Sequence, residues 1–412
     1  MFSPSGDFSF TTFIASVGSF VPRDFNGITH PSGGSPIEKY LFFNFLYKYY
    51  MINDGHLYQA KFLLTKEEEI PLNEYPRPQL VRDHWLNLNG RWNFFVSKEK
   101  KIPKTFSRTI RVPYAVESPL SGINQLVEPD DYLIYQREIF LPKTMKDKLI
   151  LLHFEGIDQT AEIYLDNQLV KTHAGIASFT VQFAYKAKIT ISVIVNDKTD
   201  LAYYARGKQM LHPYDCFYTS SSGIIKTVWL EAVNPIYLEN VYFYPNYDEK
   251  NVGILVKGNS SELVKIKINQ DNYEIKPNQL STVPLKDFHP WSPSNPYLYQ
   301  VEAKIKTDKI TSYFGVRKIS SKIIGKYPRI LLNDQPILLT GVLNQGYYFL
   351  GDLTPRTYQD YIDDIAHMKE LGFNLLRIHA KIEDNRFYYY CDKIGMLIIQ
   401  DFVNGGASYD KK

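Results

Sequence analysis

Residues 188–197, KITISVIVND, put Ile189, Ile191, Val193 and Val195 at every second position with Thr190, Ser192 and Ile194 between. A period of two sends these four side chains to one face of an extended strand, which a helix of 3.6 residues per turn cannot do. The pattern recurs. In residues 161–173, AEIYLDNQLVKTH, Ile163 and Leu165 lead into Asp166-Asn167 and then Leu169, as a strand, a turn and a return strand would. Val228, Leu230 and Ala232 alternate in the same way. Residues 71–233 therefore read as antiparallel β-structure folded into a two-sheet sandwich. A second set of short strands, among them VGILVKG, VKIKIN and LYQVEAKIK, fills residues 234–322 and suits a smaller, immunoglobulin-like sandwich.

The period changes after Tyr327. PILLTGV is a short apolar run, and Thr354-Pro355 suit a helix N-cap and first turn. Tyr358, Tyr361, Ile362, Ile365, Met368 and Leu371 then recur at spacings of three and four, and Gly372 suits a left-handed cap. FNLLRIH reads as the next strand, NRFYYYCDKIG as a second helix stopping at Gly395, and MLIIQDF as a third strand, apolar enough to be buried on both faces. Strands alternating with helices predict a parallel sheet over 327–412. Residues 1–70 mix Ser, Gly and Pro with the aromatic patch YLFFNFLYKYY at 40–50 and receive no assignment.

Composition narrows the function classes. The 47 basic and 44 acidic residues are interspersed and leave a net charge of +3, so no electrostatic footprint for nucleic acid or an anionic membrane stands out. Cys216 and Cys391 are too few for a disulfide framework. The aromatic patch carries Asn44 and Lys48 and falls short of the roughly 20 residues a membrane span needs. No clear signal peptide is read, and a cytoplasmic location is favoured. G-x-G-x-x-G, P-loop, H-E-x-x-H and paired C-x-x-C patterns are not found, and Ser220-Ser221-Ser222 is not a nucleophile elbow. No cofactor and no metal are expected.

Residues 88–94 (LNGRWNF), 112–123 (VPYAVESPLSGI), 135–142 (YQREIFLP) and 152–175 (LHFEGIDQTAEIYLDNQLVKTHAG) occur in this order. FYTSSSGIIKTVWLE, HPWSPSNPYLYQV, FGVRKI and GVLNQGYY follow. Together they resemble the N-terminal part of a family 2 glycoside hydrolase, the group of β-galactosidases, β-glucuronidases and β-mannosidases. The resemblance implies a jelly-roll sugar-binding domain, an immunoglobulin-like sandwich and a (β/α)₈ TIM barrel, of which residues 327–412 hold the first three strands; the chain would then stop inside its catalytic domain. It also implies a retaining mechanism with two glutamates on later strands. Glu370, on the first helix, and Glu383, at the start of the second, match neither, so no catalytic residue is assigned and this chain alone is expected to be inactive.

The rim of the site is what remains, because residues at the C-terminal ends of barrel strands face the pocket. Asn344 and Gln345 follow the first strand, Arg377 and His379 the second, Asp401 and Asn404 the third. By resemblance Arg377, His379 and Asp401 match polar positions around the sugar; otherwise they pin loops and cap helices. The family often has Asp-Gln at Asn344-Gln345 and tryptophan at Tyr390 and Ile399. Asp215, in the loop PYDCFYTSSSG, corresponds to a sugar-contacting aspartate, although it lies two residues further from Gly223 than the family pattern; the other reading is a turn former beside Pro213. Trp291 reads as a structural anchor. Two functions follow from different classes: a family 2 β-glycosidase cut within its barrel and inert as this chain alone, or a non-catalytic carbohydrate-binding or regulatory module; a second chain completing the barrel, or self-association, is the further partner expected. In both the partner is a carbohydrate.

Overall fold

A strand with one apolar face needs a second sheet to bury it, and residues 71–322 solve that problem twice. The computed structural model describes residues 70–403, all within one compact unit, Tyr58–Lys412. They are mostly β-strand with few helices. The aromatic patch at 40–50 and Asn404 lie outside the described residues. No helix among the described residues is long and apolar enough to cross a membrane.

In the first sandwich a four-stranded antiparallel sheet runs in the order Trp85–Asn87, Val228–Val233, Leu149–Phe154, Phe179–Ala184. It faces a six-stranded sheet ordered Arg108–Val112, Gly90–Ser97, Tyr132–Phe140, Lys188–Asn196, Thr160–Leu165, Gln168–Ala174. Ile189, Ile191, Val193 and Val195 enter one shared core with Val228, Leu230 and Ala232 from the opposite sheet. Each of these isoleucine, valine and leucine side chains contributes about 1.5–3 kcal/mol on burial. Asp166 and Asn167 have φ of 49° and 66°, the left-handed pair a two-residue hairpin requires. Leu169, on the edge strand beyond them, is exposed.

The second sandwich pairs a three-stranded sheet, Leu238–Asn246, Asn251–Gly258, Ser281–Pro284, with a four-stranded one, Asp271–Ile275, Val264–Ile268, Tyr299–Ile305, Asp308–Phe314. Its core gathers Ile254, Val256, Ile266, Val301 and Phe314. Leu80 joins this core from far upstream, and Leu72 joins the C-terminal one. Residues 72–82 are thus a strap across the molecule. At its end Arg82, 5% exposed, donates to Glu231 of the first sandwich at 3.0 Å and forks onto Asp308 of the second at 3.0 and 3.2 Å. Trp291 is a structural anchor: fully buried, it donates through Nε1 to the Asp392 carbonyl of the second helix at 2.7 Å.

A hairpin, Ile319–Ile324 and Tyr327–Leu332, leads to the C-terminal part. There β1 (Gly341–Asn344), α1 (Tyr358–Glu370), β2 (Leu375–Ile378), α2 (Asn385–Ile394) and β3 (Leu397–Gln400) form three parallel strands with two intervening helices. Several expectations need correction here. In the apolar run PILLTGV, Pro336 ends a two-residue strand on the hairpin, the parallel strand begins only at Gly341, and Leu338 between them is 79% exposed. The first helix does not start at Thr354-Pro355. Thr354 is buried and its hydroxyl donates to the Ile225 carbonyl of the first sandwich at 2.6 Å, so it is engaged elsewhere. Thr357 caps α1 instead, in a reciprocal box with Asp360. Tyr358, Tyr361 and Ile365 are buried as their spacing predicts, while Leu371 lies past the helix end and is exposed. Gly372 and Gly395 both take positive φ after their helices, at 89° and 91°. Glu383 precedes the N-cap Asp384 and so does not begin α2. Nor is β3 buried on both faces, since Ile399 is 44% exposed. The row Leu343, Arg377, Ile399 crosses the sheet in register with no layer over it among the described residues.

Candidate functional site

In a parallel sheet all strands end on the same side, so residues just beyond β1, β2 and β3 are brought together by the topology. Arg377, on β2, forks onto the two oxygens of Asp401, just after β3, with both contacts at 3.0 Å. The imidazole of His379 reaches the same carboxylate, Nδ1 to Oδ2 at 2.9 Å. An ionised carboxylate only accepts, so Nδ1 carries the proton of this bond. Arg377 holds the Asp401 carboxyl below its ordinary range; partial burial opposes this and His379 adds to it. The result is a carboxylate ionised at neutral pH and clamped between two donors, half-open to solvent on the Arg377 side, where the side chain is 53% exposed.

The β1 end meets the β2 end through the backbone. The Asn344 carbonyl accepts from His379 N–H at 2.9 Å. Beyond it Gly346, at φ +60°, is packed so closely that a Cβ would lie 2.2 Å from Glu383 Oε1 and 2.5 Å from Lys381 Nζ. Lys381 Nζ donates to the Gly346 carbonyl at 2.6 Å and pairs with Glu383 at 3.0 Å. Burial lowers the lysine and raises the glutamate, each countered by the other. This pair clamps the β1 loop onto the β2 loop.

The first sandwich supplies a wall. Gly207 approaches the Ala380 carbonyl where no side chain would fit, and the Tyr218 hydroxyl donates to Gln345 Oε1. The Tyr218 ring lies flat on Tyr347, centroids 3.7 Å apart and planes 12° apart. At the base of this loop Gln209 donates to Asp158 at 2.7 Å and accepts from Ser221 N–H at 2.6 Å. Ser222 Oγ lies 2.6 Å from Glu117 and 2.7 Å from Asp197. A hydroxyl has one proton to give, so one of these two acids must itself be protonated. Burial pushes Glu117 up to about 8, against hydrogen bonds from Ser222, and raises Asp197 as well.

The structure thus joins Arg377, His379 and Asp401 directly, and Asn344 and Gln345 through the loops. Asp215 is exposed at φ 50° and makes no hydrogen bond or ion pair to any of them. Tyr218, Lys381 and Glu383 escaped sequence reasoning as parts of the site. Arg377, His379 and Lys381 alternate, which was a usable signal, but Ala380 at φ 55° breaks the strand and turns Lys381 inward. Among the described residues no group of three or more His, Cys, Asp or Glu side chains is arranged to hold a metal ion.

The sequence model of the family described as Glycosyl hydrolases family 2 matches residues 236–317. A β-galactosidase of Thermoanaerobacterium thermosulfurigenes is 25% identical over 358 residues, covering 76% of this chain and 48% of its own length. A β-glucuronidase of Streptococcus agalactiae serotype V is 23% identical over 372 residues, covering 82% and 61%. Among solved structures, a β-glucuronidase of an uncultured Clostridium species superposes with a TM-score of 0.67 at 20% identity, over 81% of this chain and 61% of its own. A β-galacturonidase of Eisenbergiella tayi gives 0.61 at 22%, over 80% and 59%. The chain spans about half the length of the first of these relatives. A matched family domain over 236–317, long weak similarity and a shared fold agree: along most of its described length the chain is similar to the family 2 glycosyl hydrolases.

Proposed function

We propose that the C-terminal strands carry part of the sugar-binding rim of a β-glycosidase acting on β-galactosides or β-uronides, with Arg377, His379 and Asp401 as its polar centre and Asn344 and Gln345 beside it. The observation that carries this reading is the clamped Asp401 carboxylate at the ends of adjacent parallel strands. A fixed anion accepts from sugar hydroxyls, and the exposed face of Arg377 donates to them. Retaining hydrolysis also needs an acid and a nucleophile about 5 to 5.5 Å apart. Asp401 is engaged by two donors and Glu383 is buried on Lys381, so neither is free for these roles. The reading therefore assigns no catalytic residue to this chain and expects it to bind without turnover. Asp215, exposed and without a hydrogen-bond or ion-pair partner among the described residues, stays at the margin of the proposed site, and Asn404, outside the described residues, remains an expectation from the sequence.

The architecture proposed with this function is a jelly roll over 71–233, an immunoglobulin-like sandwich over 234–322 and part of a TIM barrel over 327–412. Two antiparallel sandwiches followed by β-α-β-α-β with a bare face support it. Further barrel strands, on the same or a second polypeptide, would cover Leu343 and Ile399.

Ligand-observed NMR with methyl β-D-galactopyranoside and methyl β-D-glucuronide tests the site. Binding of at least one is expected, and Asp401→Ala should abolish it while the fold persists. Binding unaffected by Asp401→Ala, or hydrolysis of either sugar by the purified chain, would show the assignment to be wrong.

A further inference from the structure

Both ends of Gln345 are fixed by groups outside its own strand. Its backbone lies between Asn344, whose carbonyl is held by His379, and Gly346, whose carbonyl is held by buried Lys381. Its side-chain oxygen accepts from Tyr218, a residue more than a hundred positions upstream. The Tyr218 ring cannot turn freely, being stacked on Tyr347, and its N–H is bonded to the Lys208 carbonyl at 2.9 Å. Burial raises the Tyr218 hydroxyl above its ordinary range, so it stays protonated and donates. A primary amide has one acceptor oxygen and two N–H donors. With the oxygen engaged, the two donors of Gln345 have no partner among the described residues.

We infer that Tyr218 is the positioning residue through which the first sandwich sets the Gln345 amide, so that its N–H pair reads an acceptor oxygen of the bound sugar, a hydroxyl or a carboxylate. The inference rests on the sugar-binding reading of the rim and adds to it the orientation of one recognition group. It also assigns the sandwich's contribution to Tyr218 and not to Asp215. A glutamate at 345 would still accept from Tyr218 but would present no donor, so the position discriminates by hydrogen-bond polarity.

The test uses the full chain with ¹⁵N-labelled glutamine. Gln345→Glu identifies the Gln345 side-chain resonances by their loss. In Tyr218→Phe, which keeps the ring and its stack on Tyr347, the Gln345 amide pair should shift while the other glutamines stay in place. Sugar affinity should fall about tenfold, as for one lost hydrogen bond. Gln345→Glu should weaken binding of whichever of the two sugars the wild-type chain takes by at least as much, with no change in thermal stability. A shift of the Gln345 pair on adding the galactoside assigns the hydroxyl; a shift with the glucuronide alone assigns the carboxylate. An unmoved Gln345 pair in Tyr218→Phe overturns the positioning role, and wild-type affinity in Gln345→Glu overturns the recognition role. If the wild-type chain binds neither sugar, the proposed function falls, and the amide signature in Tyr218→Phe still decides whether Tyr218 sets Gln345.

Discussion

The first sandwich and the C-terminal strands use similar residues to opposite ends. In the sandwich every second residue of Lys188–Asn196 meets an opposing sheet, and Ile191, Val193 and Leu230 have essentially no exposed surface. In β1, β2 and β3 one face packs on α1 and α2, where Leu376 and Ile378 are buried, while Leu343 and Ile399 stand half-exposed on the other. Apolar side chains contribute to stability only where a second layer exists. The same isoleucine is a core residue in one region and a spare surface in the other. Titration separates the regions as well. Burial without a cation makes Glu117 a weak acid, and an arginine fork makes Asp401 a strong one.

The largest effect should come from what ties regions together. Arg82→Ala leaves Glu231 and Asp308 buried with fewer partners and should cost about 3–5 kcal/mol. Urea unfolding followed by tryptophan fluorescence would measure it, and a loss below about 1 kcal/mol would mean the sandwiches do not depend on this contact.

A paired substitution sharpens the contrast between covered and bare faces. Leu230→Ala should cost about 2–5 kcal/mol through lost burial and a cavity. Ile399→Ala should stay within about 0.5 kcal/mol, the range of surface changes. Comparable costs for the two, read from the same denaturation curves, would show that the outer face of β3 is covered in solution.

The smallest effect is a slope. Glu117 binds its proton more tightly folded than unfolded, so its stabilisation is complete below the ordinary value of 4.5 and is lost as pH rises toward about 8. One proton gives at most about 1.4 kcal/mol per pH unit. Glu117→Gln should flatten the decline in stability between pH 5 and 8, roughly the window set by those two values. Asp401 has the opposite sign: its lowered value makes its contribution present at neutral pH and lost on acidification, so Asp401→Asn should leave the alkaline limb unchanged. An unaltered slope in Glu117→Gln would move the proton to another member of the network.

The strands were legible because alternation and burial coincide wherever two sheets face each other, as at Ile163, Ile191 and Val228. The helix caps at Gly372 and Gly395 were legible for a local reason, positive φ. The start of α1 was not: Thr354-Pro355 has the right local chemistry, but a tertiary hydrogen bond to Ile225 claims the threonine. The same limit applies to the site. Arg377, His379 and Asp401 meet because strand order is implied by β-α-β alternation. Tyr218 and Lys381 meet the β1 loop through contacts 127 and 35 residues apart in sequence, which no local pattern encodes.

The strap and its anchors have a mechanical consequence. The first sandwich is pinned to the second by Arg82, the second to α2 by Trp291, and the C-terminal part back to the first by Thr354 and Tyr218. Two bodies joined at one point can swing about it. Three bodies joined pairwise form a closed triangle, and a triangle with fixed vertices has no hinge axis. Opening any one joint requires another to slip, so the distance from the Tyr218 hydroxyl to the ends of the parallel strands is set by the whole circuit.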